Sequence, residues 1–228
     1  MPFMALYVEE LGAPKNKVEW YAGLAVSLSA LASALIAPVW GRLADQYGRK
    51  PMMVRASLVM TFTMGGLAFV PNIFWLLTLR LLNGLFSGYI PNSTALIASQ
   101  APKNRSGYAL GTLATGMIGG SLIGPLLGGM LAEWLGIRQV FLLVGFILLI
   151  CNFLTVFLIK EDFKPVAKAN AMSTRELFLS IKDKQILIGL FVTSMIIQIS
   201  AQSIAPILTL YIPVSYTHLR AHETVLDL

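Results

Sequence analysis

The chain has 228 residues, 56% of them apolar and only 12% charged, about half the charged share of an ordinary soluble domain. That balance excludes disorder, a coiled coil and a nucleic-acid binder, even though the formal net charge is +6. A spanning helix uses about 20 apolar residues, or about 30 with its loop, so this length holds about seven spans of a polytopic membrane protein.

In chain order, residues 1–8 form an apolar stub, about 12 Å long as a helix against about 30 Å of hydrocarbon. We read it as the end of a first helix whose beginning is missing; no basic leader of a signal peptide precedes it. Spans are expected at residues 21–39, 52–70, 73–98, 108–131, 140–159 and 186–212. Turn signals mark the breaks at Gly12-Ala13-Pro14, Gly41 to Pro51, Pro71-Asn72, Pro102 to Gly107 and Gly136. This divides the chain into a six-helix bundle (1–159), a long connection (160–185), the first helix of a second half (186–212) and a tail (213–228).

Charge placement sets an orientation. With the stub as helix 1, loops 2–3, 4–5 and 6–7 hold Arg42, Arg49, Lys50, Arg55, Lys103, Arg105, Lys160, Lys164, Lys168, Arg175, Lys182 and Lys184. The other loops hold Lys15, Lys17 and Arg138 against Glu9, Glu10, Glu19 and Glu133. The lysine and arginine excess places the first set in the cytoplasm, so the basic balance reflects topology.

The two ends resemble each other. Pro2, Leu6 and Tyr7 match Pro206, Leu210 and Tyr211 at identical spacing, with Val8 opposite Ile212. A duplicated six-helix unit places such a match at the ends of helices 1 and 7, and internal duplication is a transporter signature. After Ile212 the composition changes. Residues 214–224 contain both histidines, lack an apolar period and resemble a translated transposase adaptor from sequencing libraries. We treat 213–228 as non-native and give His218 and His222 no role.

Three motifs carry chemistry. Between helices 2 and 3, Gly41 and Gly48 permit a tight turn and close backbone approach, Pro51 suits the first turn of helix 3, and Asp45 is a fixed charge able to meet a helix N-terminus or an arginine. In the fourth span, Arg80 is the only charge well inside a full span. At mid-bilayer it costs at least about 2.5–3.5 kcal/mol, so it faces a cavity or a partner. Gly84, Ser87 and Pro91 follow it at helical spacing as a small, polar face. In the fifth span Gly116, Gly120, Gly124 and Gly128 recur every four residues as a stripe for close helix contact, and Pro125 is expected to kink the helix.

The register of Gly41, Asp45, Gly48, Arg49 and Lys50 resembles the signature loop of the major facilitator superfamily. The resemblance covers about residues 1–212 and implies an all-α fold: the N-terminal six-helix half of a twelve-helix transporter plus its seventh helix. It further implies that the loop latches the two halves on the cytoplasmic side and that Arg80 takes part in proton coupling. A guanidinium does not release its proton near neutrality, so Arg80 would position a water or act on a carboxylate. The pair Gly124-Pro125 followed by Gly128-Gly129, with Gly120 before it, resembles the motif of drug:proton antiporters. That implies a multi-pass protein of the bacterial plasma membrane, monomeric in full length. It would exchange lipophilic drugs for protons, contribute to antibiotic resistance, and need no cofactor beyond the proton-motive force.

A substrate cavity is sought at Tyr7, Asn83, Ser194, Gln198 and Gln202, the last three one face of helix 7. No span holds a carboxylate, since Glu9, Glu10 and Glu133 sit at helix ends, so the proton carrier is at such an end or in a missing segment. No phosphate-cradling loop, histidine site or cysteine cluster supports ATP-driven, hydrolytic or metal chemistry; Cys151 stands alone. The alternatives are a sugar or metabolite transporter of the same superfamily and, from another class, a seven-helix receptor or structural protein. The loop Gly41 to Pro51 weighs against the second.

Overall fold

In a computed structural model, residues 4–102, 104–163, 185–186 and 188–200 are described. They fall into two units: one formed by residues 4–163, the other by residues 185–200.

The first unit is helical. Its elements are α1 (Met4–Glu10), α2 (Val18–Tyr47), α3 (Arg49–Gly66), α4 (Ile73–Leu85), α5 (Tyr89–Gln100), α6 (Ser106–Leu135) and α7 (Ile137–Leu158), with single 3-10 turns at Lys15–Lys17 and Leu67–Phe69. Five segments are long and apolar enough to cross a membrane: Lys15–Tyr47, Arg49–Phe69, Ile73–Gln100, Ser106–Leu135 and Ile137–Leu158. They overlie the first five expected spans. The stub forms α1, and its seven residues rise about 10 Å.

The fourth span differs from expectation. In place of one helix over 73–98, α4 and α5 are separated by Phe86-Ser87-Gly88. Gly88 has φ +126°, a left-handed value that a side chain rarely tolerates. Pro91 then falls in the first turn of α5, where a missing N–H leaves no helical bond unmade. By contrast α6 runs uninterrupted through Pro125, and α2 through Pro38.

Packing is concentrated between α3 and α7 and between α2 and α4, with α5 against α3; α6 lies at the margin against α7 and α5. The core gathers Tyr7, Val8, Ala25, Met64, Leu67, Val70 and Leu76. Tyr7 is wholly buried: its hydroxyl donates to the Leu67 carbonyl and its ring meets Phe141 at 5.0 Å. At the same end Arg138, opening α7, pairs with Glu10 of α1 at 2.9 Å.

Outward faces are apolar. Leu35, Phe62, Phe74, Trp134, Phe153 and Phe157 are all exposed. Lipid tails are as apolar as leucine, so these side chains meet a bilayer at no penalty.

The second unit contributes α8 (Ile188–Ser200), an apolar helix shorter than a span within the described residues. The rest of the expected seventh span, the Pro206–Ile212 half of the repeat, most of the 160–185 connection and the tail lie outside the described residues.

Candidate functional site

The expected loop from Gly41 to Pro51 is almost wholly helical. Residues 41–47 are the last two turns of α2, and 49–51 are the first turn of α3, so the turn itself is the single residue Gly48. A 30-residue helix is about 45 Å long, against about 30 Å of hydrocarbon, so the end of α2 can carry the motif clear of the lipid.

Gly48 makes this turn at φ +101°, and a Cβ there would sit 2.8 Å from Oε2 of Glu161. Gly41 does neither job expected of it: it is helical, and a Cβ on it would meet nothing within 4 Å among the described residues. Asp45 is exposed and accepts from Arg49 Nη2 at 2.6 Å, a contact that bridges the Gly48 turn from the end of α2 to the start of α3. An exposed pair of this kind contributes about 0–1 kcal/mol.

The stronger bond at this corner comes from Glu161, just past the end of α7. Its two carboxylate oxygens accept the backbone N–H groups of Arg49 and Lys50, each at 2.7 Å. These are orphan donors of the first turn of α3, whose own preceding residue, Gly48, has no side chain to cap them. A carboxylate there also meets the positive end of the helix dipole. Gln100 at the end of α5 holds the same segment by donating to the Lys160 carbonyl at 3.1 Å. Glu161 is a candidate site residue that the sequence did not reveal: it is one of two adjacent acids, with Asp162, between Lys160 and Lys164, 113 positions after the glycine it packs on.

Arg55 is the second such residue. Its charge places it with the loop, but it lies in the second turn of α3 and is half-buried. Its guanidinium carbon stands 3.3 Å from the centroid of the Trp40 ring, and Nη2 donates to the carbonyls of Phe86 and Ser87 at 3.4 and 3.1 Å.

Arg80 is buried at 4% exposure, with its Nε and Nη2 lacking a hydrogen-bond partner among the described residues. Its backbone carbonyl accepts from Ser29 at 2.7 Å. The single helical face expected beside it is not formed: Gly84 is in the last turn of α4, Ser87 lies in the break, and Pro91 is exposed on α5. Ser87 bonds to Ser33 of α2 at 2.6 Å, and Gly84 lies so tightly on α2 that a Cβ would overlap the Ser29 carbonyl. Asn83 points the other way, donating to Thr63 of α3 at 2.9 Å. Two polar side chains of α7 tie it into the bundle. Asn152 donates to the Val54 carbonyl and to Ser57, at 2.9 and 2.7 Å, and Thr155 meets Tyr89 of α5 at 3.0 Å.

Not every expected site residue joins this cluster. Tyr7 is committed to the core, between the Leu67 carbonyl and the Phe141 ring. A Cβ on Gly120 or Gly124 of α6 would meet nothing within 4 Å among the described residues, and Pro125 beside them is exposed. Gly128 and Gly129 are half-buried on the same helix. Ser194 and Gln198 are exposed on α8, in the second unit, and Gln202 lies outside the described residues.

Comparison with known proteins follows the same outline. The family described as "Major Facilitator Superfamily" matches residues 1–226. The chain is 63% identical over 212 residues to a "Multi-drug resistance efflux pump PmrA homolog" of Lactococcus lactis, covering 93% of this chain and 52% of that protein. It is 61% identical over 212 residues to "Multi-drug resistance efflux pump PmrA" of Streptococcus pneumoniae, again 93% of this chain and 53% of the relative. With "Multidrug resistance protein MdtG" of Proteus mirabilis the identity is 49% over 213 residues, 93% and 53% of the two chains. The chain thus spans about half the length of the curated relatives it matches.

Proposed function

The chain belongs to the Major Facilitator Superfamily, as a multi-pass membrane protein with the fold of that family's N-terminal half, and on that premise we propose that it is the N-terminal part of a proton-driven multidrug exporter. The observation that carries the reading is the joined pair of features on α2, α3 and α4. A helix-end motif with its Asp45–Arg49 pair adjoins a broken helix that buries Arg80. A buried guanidinium with open donors is expensive in a membrane and belongs where charge is handled.

In this reading lipophilic drugs leave the cell in exchange for protons, and the energy source is the proton-motive force rather than a cofactor. Two states alternate about a midplane site between two halves. The corner formed by Asp45, Gly48, Arg49, Lys50 and Glu161 lies on the cytoplasmic side, where the lysine and arginine excess puts it. It acts as the latch: the exposed Asp45, paired with Arg49, is the charge it offers to the other half, and Glu161 holds the corner's backbone. Arg80 holds a proton-linked water or carboxylate from within the bundle and is not itself the carrier. Gly120, Gly124, Pro125, Gly128 and Gly129 give α6 a thin, side-chain-poor face, suited to close contact with a helix of the second half. Ser194, Gln198 and Gln202 supply the polar stripe of the cavity from the seventh helix. The relatives named as efflux pumps support drugs as the substrate class.

The test joins residues 1–212 to the second half of the Lactococcus lactis relative and follows ethidium transport in everted vesicles. Uncoupler-sensitive transport by the joined protein, lost in Arg80→Ala and absent from the chain alone, is the expected outcome. A folded joined protein without transport, or transport indifferent to an uncoupler, contradicts the proposal.

A further inference from the structure

A helix broken within a membrane leaves carbonyl groups without donors, and each must be met by protein. The break between α4 and α5 frees those of Leu85, Phe86 and Ser87. The Leu85 carbonyl accepts from the indole Nε1 of Trp40 at 2.7 Å, and the carbonyls of Phe86 and Ser87 accept from Arg55 Nη2. Gly88, next in line, is met within α5 by the backbone and side chain of Asn92 at 3.2 and 2.7 Å. Among the described residues, the donors to these three carbonyls come from Trp40 and Arg55, while Ser33 of α2 meets the Ser87 hydroxyl at 2.6 Å.

Those two residues also hold each other. The Arg55 guanidinium lies 3.3 Å above the Trp40 ring, with the Phe86 ring 5.9 Å to its side. Nε and Nη1 of Arg55 have no hydrogen-bond partner among the described residues, so the indole face is the chief contact for the rest of the cation. A lysine could supply the charge but not the flat fork that bonds carbonyls while stacking on a ring.

Their place in the chain gives this arrangement its consequence. Trp40 immediately precedes Gly41, and Arg55 stands four residues after Pro51, so the pair brackets the helix-end motif. The carbonyls they hold begin five residues after Arg80. We infer that Trp40 and Arg55 form a clamp that fixes the break of the fourth span and transmits the position of the Asp45 corner to the stretch of α4 carrying Arg80. Both are positioning residues. The inference deepens the efflux reading by naming what couples its latch to its buried cation, and rests on that reading for its meaning in transport.

The test reads geometry without substrate or proton gradient, so its failure is distinct from a failure of the efflux reading. The whole chain, carrying Cys151→Ser, is spin-labelled at Phe74→Cys and Thr94→Cys, one exposed site on each side of the break. It is studied in nanodiscs of phosphatidylethanolamine and phosphatidylglycerol by electron–electron distance measurement. The parent gives a narrow 74–94 distribution. Arg55→Ala and Trp40→Phe broaden and shift it, and Arg55→Lys falls between. Asp45→Asn shifts the distance in the parent and leaves it unmoved in Arg55→Ala. An unchanged distribution in Arg55→Ala and Trp40→Phe overturns the inference, even if their melting temperatures fall, since a purely structural role predicts that pattern. So does an Asp45→Asn shift that is absent in the parent or persists undiminished in Arg55→Ala. Should Arg55→Ala not fold, Trp40→Phe and Arg55→Lys decide by the same criterion, and an unchanged distribution in both overturns it.

Discussion

Helices α4 and α7 press glycines against neighbouring backbone, whereas α6 holds Gly120 and Gly124 away from any neighbour among the described residues. In the first region Gly84 lies on the Ser29 carbonyl of α2, and a Cβ at Gly145 would stand 2.8 Å from the α-carbon of Gly65 on α3. The four-residue stripe on α6 is the more regular pattern, yet the tight contacts are made by isolated glycines elsewhere. Glycine spacing therefore marks a helix face that can approach another closely; the partner helix decides whether it does. Where the approach is realised, polar bonds accompany it: Ser29 and Ser33 bond to α4 or its end, and Asn152 bonds to α3.

The largest expected effect is at Gly84. Replacement by leucine drives a side chain into the α2 backbone, exceeds the usual overpacking cost of about 1–3 kcal/mol, and leaves little folded protein to recover from membranes in a detergent-solubilisation and gel-filtration assay. At Gly145 alanine costs about 2 kcal/mol in a denaturation experiment. At Gly65 the same change is nearly neutral, because its Cβ would meet Gly145 at an ordinary 3.9 Å. That asymmetry sharpens the comparison, since both glycines belong to one contact.

Glu161→Ala removes two charge-assisted bonds to the first turn of α3 and lowers stability by about 1–2 kcal/mol, seen as a fall in melting temperature. Amide exchange at Arg49 and Lys50 rises with it. Glu161→Gln, which keeps an acceptor oxygen, loses less. The smallest effect belongs to α6: Gly120→Ala leaves melting within about 0.5 kcal/mol of the parent or raises it, because alanine favours the helix by up to about 1 kcal/mol.

Much of this is legible in the residues. Long apolar runs and breaker pairs mark the spans, because a bilayer demands length and apolarity from each helix independently of its neighbours. The motif around Gly48 is legible because its turn is local: a positive φ, a proline in the first turn and an ion pair at i,i+4 all lie within seven residues. The rest depends on distant pairing. Glu161 reaches Gly48 only because α7 returns beside α3, and no local pattern announces it. Arg55 reads as part of the loop, since an arginine so near a helix start looks solvated until Trp40 is seen beneath it. Pro125 stays within a continuous helix, whereas the chain is interrupted at Gly88, where a left-handed residue precedes a proline positioned for a new first turn.

The contrast between packed and open glycines is tested most directly by melting Gly84→Ala and Gly124→Ala side by side with the parent chain in one detergent. The structure predicts a loss of about 1–3 kcal/mol for the first and no loss, or a gain of up to about 1 kcal/mol, for the second. Equal losses at the two positions would contradict it, and would mean that α6 packs its glycines as closely in this chain as α4 does.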